Sequence, residues 1–374
     1  MSRPIVFFPG VMGSRLYFPN SDRFWDPDSN WRMLRWAPVP LIRSDDDNRR
    51  DMHIREPAGV VVDPLDADEI TEAQVALGWG GVVWSFYKEY LALLAGLADN
   101  GHAFALAYDW RLDIRDLGAS AAERMRLCLD VTGADKLWVA THSMGGLVVR
   151  AALRFDPDLA NRVEKIVHVC QPSVGAVILY RRLFTGLVRP FDGGGGVADR
   201  AFRFILGNSR AGFVGNMSGQ PGPVQLLPSR FLVADPAWTA HLEDGSDFDV
   251  LYPHDNSPPG LFDAELGLTD EVATDLRARI ADVAAFQAEL GDPTIAGPET
   301  WLAYGTDVDT ETRIEFDGQT ANPIVTRDGD GVVPRSSARA LGLSDERMVP
   351  VSGARHAEAC KHPGVRAVTI DVFR

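Results

Sequence analysis

The chain predicts an α/β architecture: a mostly parallel sheet covered by helices on both faces, with cap or lid insertions above one sheet edge. Three observations carry this. Six short, almost wholly apolar runs have strand length: Ile5–Phe8, Phe104–Tyr108, Leu137–Ala140, Ile166–Cys170, Trp301–Tyr304 and Met348–Val351. Helical patterns separate several of them. Phe86–Leu97 sets Tyr87, Tyr90, Leu91, Leu94 and Leu97 at helical spacing, and Ala119–Leu129 and Leu147–Phe155 behave alike. Strands apolar on both faces, alternating with amphipathic helices, are what a doubly covered parallel sheet requires. Third, two long segments break the rhythm. Residues 17–81 are rich in Trp, Pro and Asp without a clear period. Residues 175–299 hold the Gly193–Gly196 run and one helical piece near Thr269–Leu290. These are expected as a first insertion and a cap over a core formed by residues 1–16, 82–174 and 300–374. Long segments without a period inside a compact domain are usually functional or disordered.

Bulk properties narrow the class. The 374 residues suffice for a large core, and 45% hydrophobic with 24% charged residues is ordinary for a soluble globular protein. A net charge of −15 repels phosphate backbones and argues against nucleic-acid binding. The start, Met1–Gly10, has no sizeable apolar h-region and runs directly into a strand, and no apolar run reaches transmembrane length. A cytoplasmic protein is the expectation. The three cysteines, Cys128, Cys170 and Cys360, are scattered and show neither metal spacing nor a disulfide framework. No metal and no organic cofactor is implied, and the oligomeric state is open.

The segment richest in chemistry is Leu137–Arg150. An apolar strand meets a tight turn with Ser143 at its tip, and a helical pattern follows at once. That is the context of a nucleophile elbow, which lifts a serine hydroxyl above the carboxyl edge of a parallel sheet. The pattern Gly-x-Ser-x-Gly is met downstream by Gly145, with Gly146 after it; upstream the small but β-branched Thr141 replaces glycine. An ordinary βα turn is the structural alternative.

A serine hydroxyl needs a base to take its proton and a third group to fix that base. In chain order the acid follows the serine and the histidine comes last. Asp330, between Gly329 and Gly331, fits the acid, with Asp328 its nearest rival. His356 follows the last strand and Gly353 and fits the base; His362 competes but precedes Pro363, where it suits a cap of the final helix. His142 flanks the serine and is expected to pack within the elbow. Two backbone N–H groups must hold the oxyanion. Met144, next after the serine, supplies one; Val11, in the loop Phe8–Gly13, is the best candidate for the other.

Together these pieces resemble the lecithin:cholesterol acyltransferase family, which includes lysosomal phospholipase A2. Pro9–Leu16 is similar to that family's oxyanion loop, Tyr108-Asp109-Trp110-Arg111 to a tetrapeptide typical of it, Thr141–Gly145 to its elbow and Asp328–Pro334 to its acid loop; Leu227–Arg230 resembles a cap segment. The resemblance implies an α/β-hydrolase fold. It implies a serine-dependent acyl-ester enzyme that works through an acyl-Ser intermediate on a lipid or other hydrophobic ester. Alternatives that keep the fold are a small-ester esterase, a peptidase, or a non-catalytic binding protein. Val332 stands where the family commonly has Thr, and no cysteine occurs between Tyr17 and Trp84, where secreted relatives place a disulfide. Asp109 and Arg111 suit an internal ion pair. Ala176–Phe191 interleaves apolar residues with Arg181, Arg182 and Arg189, which suits either peripheral contact with an anionic membrane surface or a helix packed on the core. Trp25, Trp31 and Trp36 either line an acyl channel or fill the cap.

Overall fold

The structure is a computed structural model that describes residues 3–36, 45–61, 70–186, 207, 209–228, 240–242, 247–248, 269–291, 297–316 and 321–374. Its centre is a six-stranded parallel sheet of β1 (Ile5–Phe8), β2 (Ala103–Ala105), β3 (Leu137–His142), β4 (Val163–Val169), β5 (Glu299–Thr306) and β6 (Met348–Ser352). The spatial order is β6-β5-β4-β3-β1-β2, and each pair is parallel. All six apolar runs fall in this sheet. The second ends three residues earlier than its apolar run, because Leu106–Tyr108 continue as a buried loop.

Alternation along the strands feeds two cores. Val6 and Phe8 of β1, with Leu137 and Val139 of β3, face one cluster; Ile5, Phe7 and Ala140 face the other. The first cluster is closed by α2 (Ile114–Thr132) and α3 (Met144–Phe155), the second by α1 (Trp84–Leu97) and α4 (Pro363–Phe373). Asp113 caps α2, accepting from the Arg115 N–H, so this helix starts earlier than its apolar period alone indicates.

Two smaller sheets lie outside. Leu16–Phe18 pairs antiparallel with Arg23–Trp25 and with Gly59–Val60. The stretch between β5 and the acid loop reads as loop-rich, yet it carries an antiparallel pair, Thr310–Phe316 with Ala321–Thr326, joined by Ala240–Leu242. Trp25 and Trp36 are fully buried and fill the first insertion, their indole N–H groups donating to Met12 O and Phe24 O, whereas Trp31 is 67% exposed. Ile178–Thr185 forms a helix with Ile178 and Leu183 buried; Arg181 is 8% exposed and ion-paired with Glu311, so this part packs on the protein. Residues 187–191 of that stretch, the Gly193–Gly196 run and Ser229–Arg230 lie outside the described residues. Among the described residues no helix is long and apolar enough to cross a membrane. Cys128, Cys170 and Cys360 are buried free thiols.

Candidate active site

Ser143 sits between β3 and α3 with φ 52° and ψ −127°, and is 3% exposed. A non-glycine residue held there costs about 1–3 kcal/mol, which the surroundings must hold in place. They do so through the backbone. The Ser143 N–H donates to Val169 O of the neighbouring strand at 2.9 Å, and its carbonyl accepts from Gly146 N–H at 3.0 Å. Glycines make the close approach possible. A Cβ on Gly145 would lie 2.5 Å from Phe8 O, and one on Gly10 would lie 2.9 Å from the Ser143 Cβ. The loop after β1 is thereby brought against the serine.

Thr141 has its own reason to depart from glycine. It is fully buried, registers opposite His168 on β4, and its Oγ1 is 2.8 Å from His168 Nδ1. A glycine there would leave that buried imidazole nitrogen without a partner, at a cost of about 1–3 kcal/mol. Burial, with Arg150 adding to it, lowers the His168 pKa to about 3, so the ring is neutral.

The acid loop and the last strand converge on Ser143. His356 Nε2 lies 2.9 Å from Ser143 Oγ, and His356 Nδ1 lies 2.8 Å from Asp330 Oδ2. The other carboxylate oxygen of Asp330 accepts the N–H groups of Val332 and Val333 at 2.9 and 2.7 Å. The His356 backbone N–H donates to Asp330 O at 2.8 Å. Burial of Asp330 pushes its carboxyl upward, but the His356 ring and these N–H groups outweigh that and hold it below the usual range. An ionised carboxylate only accepts, so His356 carries its proton on Nδ1 and offers the Nε2 lone pair to the serine hydroxyl. Gly331 has φ 98°, and a Cβ on Gly305 would lie 2.6 Å from the Asp330 Cβ, which explains the glycines around the acid.

The rivals stand apart. Asp328 is a surface side chain, 54% exposed and 3.6 Å from Arg335. His362 caps α4, accepting from the Gly364 N–H. The Val11 and Met144 N–H groups donate to no protein acceptor among the described residues, whereas Gly10 N–H is already engaged by Tyr87. Cys170, Asp330 and His356 place donor atoms within 4.8 Å of one another, a spacing that could hold an ion. Two of the three are bonded to each other, and burial pushes the Cys170 thiol well up, away from the thiolate a metal would need.

Arg111 of the tetrapeptide pairs with Asp109 at 2.7 Å and is 1% exposed. Sequence spacing gave no reason to single out His168, Cys170 or Tyr87, all 27 or more residues from their partners or set by strand register. A cap segment, Pro221–Val224, reaches the site: a Cβ on Gly222 would lie 3.2 Å from Met144 Cε. Beside it opens an apolar crevice lined by Leu179, Leu183, Phe213, Met217, Val224 and Leu227.

A parallel sheet of this order, with a strained serine at a strand-to-helix turn and a histidine and carboxylate arriving from later strands, defines an α/β-hydrolase fold. Within that class the chain is similar to the lecithin:cholesterol acyltransferase family, whose model matches residues 41–190. The matched span takes in Tyr108–Arg111 and the Ser143 turn and leaves Asp330 and His356 outside. Among solved structures, one titled "The crystal structure of Tle4-Tli4 complex" is similar with a TM-score of 0.70 and 16% identity, covering 99% of this chain and 98% of that one. The mature form of Bacillus licheniformis lipase BlEst2 is similar more loosely, with a TM-score of 0.39 and 14% identity over 100% of this chain and 92% of that one. No curated protein matches.

Proposed function

We propose that this protein is a serine-dependent acyl-ester enzyme acting on a lipid or other hydrophobic ester, by hydrolysis or by acyl transfer to an alcohol. The observation that carries the reading is the unbroken hydrogen-bonded line Ser143–His356–Asp330, at 2.9 and 2.8 Å, on a turn that strains the serine backbone.

In this reading Ser143 Oγ attacks the ester carbonyl while His356 Nε2 takes its proton. Asp330 keeps the Nδ1 proton in place and stabilises the imidazolium that forms. The carbonyl oxygen becomes an oxyanion, held by the Val11 and Met144 N–H groups. His356 returns the proton to the leaving alcohol, and an acyl-Ser remains. Water or a second alcohol, deprotonated by the same histidine, then releases the acyl group and restores Ser143.

A hydrophobic acyl group is supported by the likeness to an acyltransferase family. Selection of donor and acceptor falls to the two insertions, 17–81 and 175–299, of which Pro221–Val224 packs near Met144. The test is hydrolysis of p-nitrophenyl esters of increasing chain length by the wild type and by Ser143→Ala. Loss of turnover in a folded Ser143→Ala, with wild-type preference for longer chains, supports the reading. Full activity in that variant overturns it, and turnover of acetyl esters alone favours a small-ester esterase.

A further inference from the structure

Behind the serine and the histidine runs a second, largely buried line of hydrogen bonds. The Gly10 N–H donates to the Tyr87 hydroxyl at 3.1 Å. The Tyr87 hydroxyl lies 2.9 Å from His142 Nδ1, and His142 Nε2 lies 2.9 Å from the main-chain oxygen of His356. The direction of each bond follows from chemistry. A carbonyl oxygen only accepts, so His142 carries its proton on Nε2 and is a donor to His356. Its Nδ1 is then a bare lone pair, which the Tyr87 O–H must fill, and the tyrosine oxygen remains free to accept from Gly10. Tyr87 is 2% exposed and His142 5%. Burial, with the nearby His356, lowers the His142 pKa to about 3, so the ring stays neutral and this polarity persists.

The line closes a circuit. Gly10 belongs to the loop that carries Val11, His142 adjoins Ser143 in the chain, and His356 Nε2 meets Ser143 Oγ. Tyr87 comes from α1, on the opposite side of the sheet from α3. Three elements distant in sequence are thus tied to one ring and one hydroxyl. We infer that Tyr87 and His142 are positioning residues: they hold the main chain of His356 and the Val11 loop in one register, so that proton transfer and oxyanion binding are aligned in the same instant. They touch no reacting atom. Their effect belongs to the rate of the chemical step, because displacement of a base or donor by about 1 Å can cost on the order of 100-fold. The inference rests on the reading of Ser143, His356 and Asp330 given above.

The test uses the full chain with Tyr87→Phe, His142→Ala, His142→Gln and His142→Asn. A glutamine carries its Nε2 where the imidazole Nε2 stands and can still donate to the His356 carbonyl. An asparagine reaches only to the level of Nδ1 and serves Tyr87 alone. In p-nitrophenyl ester turnover, Tyr87→Phe and His142→Ala are expected to lose about 10- to 100-fold in kcat with KM within about twofold. His142→Gln should recover to within about threefold of wild type, while His142→Asn should stay as low as alanine. Melting curves accompany each variant; if His142→Ala does not fold, Tyr87→Phe, which removes one hydroxyl, decides alone. Wild-type kcat in Tyr87→Phe and folded His142→Ala, equal rescue by Gln and Asn, or a loss confined to KM each overturn the inference. If Ser143→Ala is inactive while these variants run as wild type, only the positioning inference fails. If Ser143→Ala stays active, the functional reading fails first.

Discussion

Removal of Arg111 should be felt strongly. Its guanidinium has five N–H donors, and all find acceptors. Nε and Nη2 meet the two oxygens of Asp109 at 2.9 and 2.7 Å; Nη1 donates to Met52 O and His53 O at 3.3 and 3.0 Å, and Nη2 also to Glu56 O at 3.1 Å. The Phe18 ring centre lies 4.8 Å from its Cζ. The side chain therefore pins the first insertion, at residues 52–56, to the core. Arg111→Met keeps an unbranched stem up to about the Nε position and deletes every donor. It leaves a carboxylate that is 10% exposed without its cation, and strips the Arg111 donors from the carbonyls of Met52, His53 and Glu56, of which His53 keeps the Glu56 N–H. Removing one partner of a buried ion pair costs about 3–5 kcal/mol, a large share of an ordinary folding stability of about 5–15 kcal/mol. Adding Asp109→Leu removes the stranded charge, so the double variant should recover about 1–3 kcal/mol relative to the sum of the singles. Urea unfolding followed by tryptophan fluorescence measures both quantities, and hydrogen exchange at residues 52–56 localises the effect. An Arg111→Met protein within about 1 kcal/mol of wild type, or exchange at 52–56 unchanged, would refute the argument.

Three further outcomes follow from the same geometry. Asp330→Asn presents an amide that lets His356 adopt the wrong tautomer; kcat should fall about 10³–10⁴-fold with folding intact, while Asp328→Asn stays within about twofold in the same assay. His142 and His168 are held at about 3, below the ordinary 6.5, first by burial and then by His356 and Arg150 respectively. The unfolded chain therefore takes up protons between those values and the folded chain does not. Stability is complete above pH 6.5 and falls toward pH 3 by about 1.4 kcal/mol per unit for each ring. Urea midpoints from pH 7 to 5 should show this slope, and a His168→Gln protein that keeps the full slope contradicts it. Thr141→Val strips the hydroxyl from His168 Nδ1 and should cost about 1–3 kcal/mol, with Thr141→Ser closer to wild type; a valine variant as stable as wild type argues against that pairing.

Much of this was legible in the chain because the physics there is local. Strands buried on both faces must be apolar throughout, so β1 and β3 to β6 stand out as runs, and the serine turn is readable from its own neighbours. Asp330 and His356 follow from chain order and from the glycines beside them. What escaped is set by register or by contacts across the fold. The pairing of Thr310–Phe316 with Ala321–Thr326 was hidden because Glu311 and Arg313 and the Pro323 opposite give it the composition of a loop. Thr141 looks like a flaw in its motif until β4 places His168 beside it. Tyr87 reads as one more core residue on an apolar helix face, and only the fold puts its hydroxyl between Gly10 and His142. Of the four tryptophans in the first insertion, Trp25, Trp36 and Trp79 are core and Trp31 faces solvent, a split that an aperiodic segment does not encode.

The central claim is that Ser143 is a nucleophile made reactive by His356. Reaction with a fluorophosphonate, read by intact mass and by peptide mapping, tests it most directly. A single adduct on Ser143, absent in Ser143→Ala and formed far more slowly in His356→Ala, is the predicted result. A folded wild-type protein that takes up no phosphonate, or carries it on another residue, would contradict it.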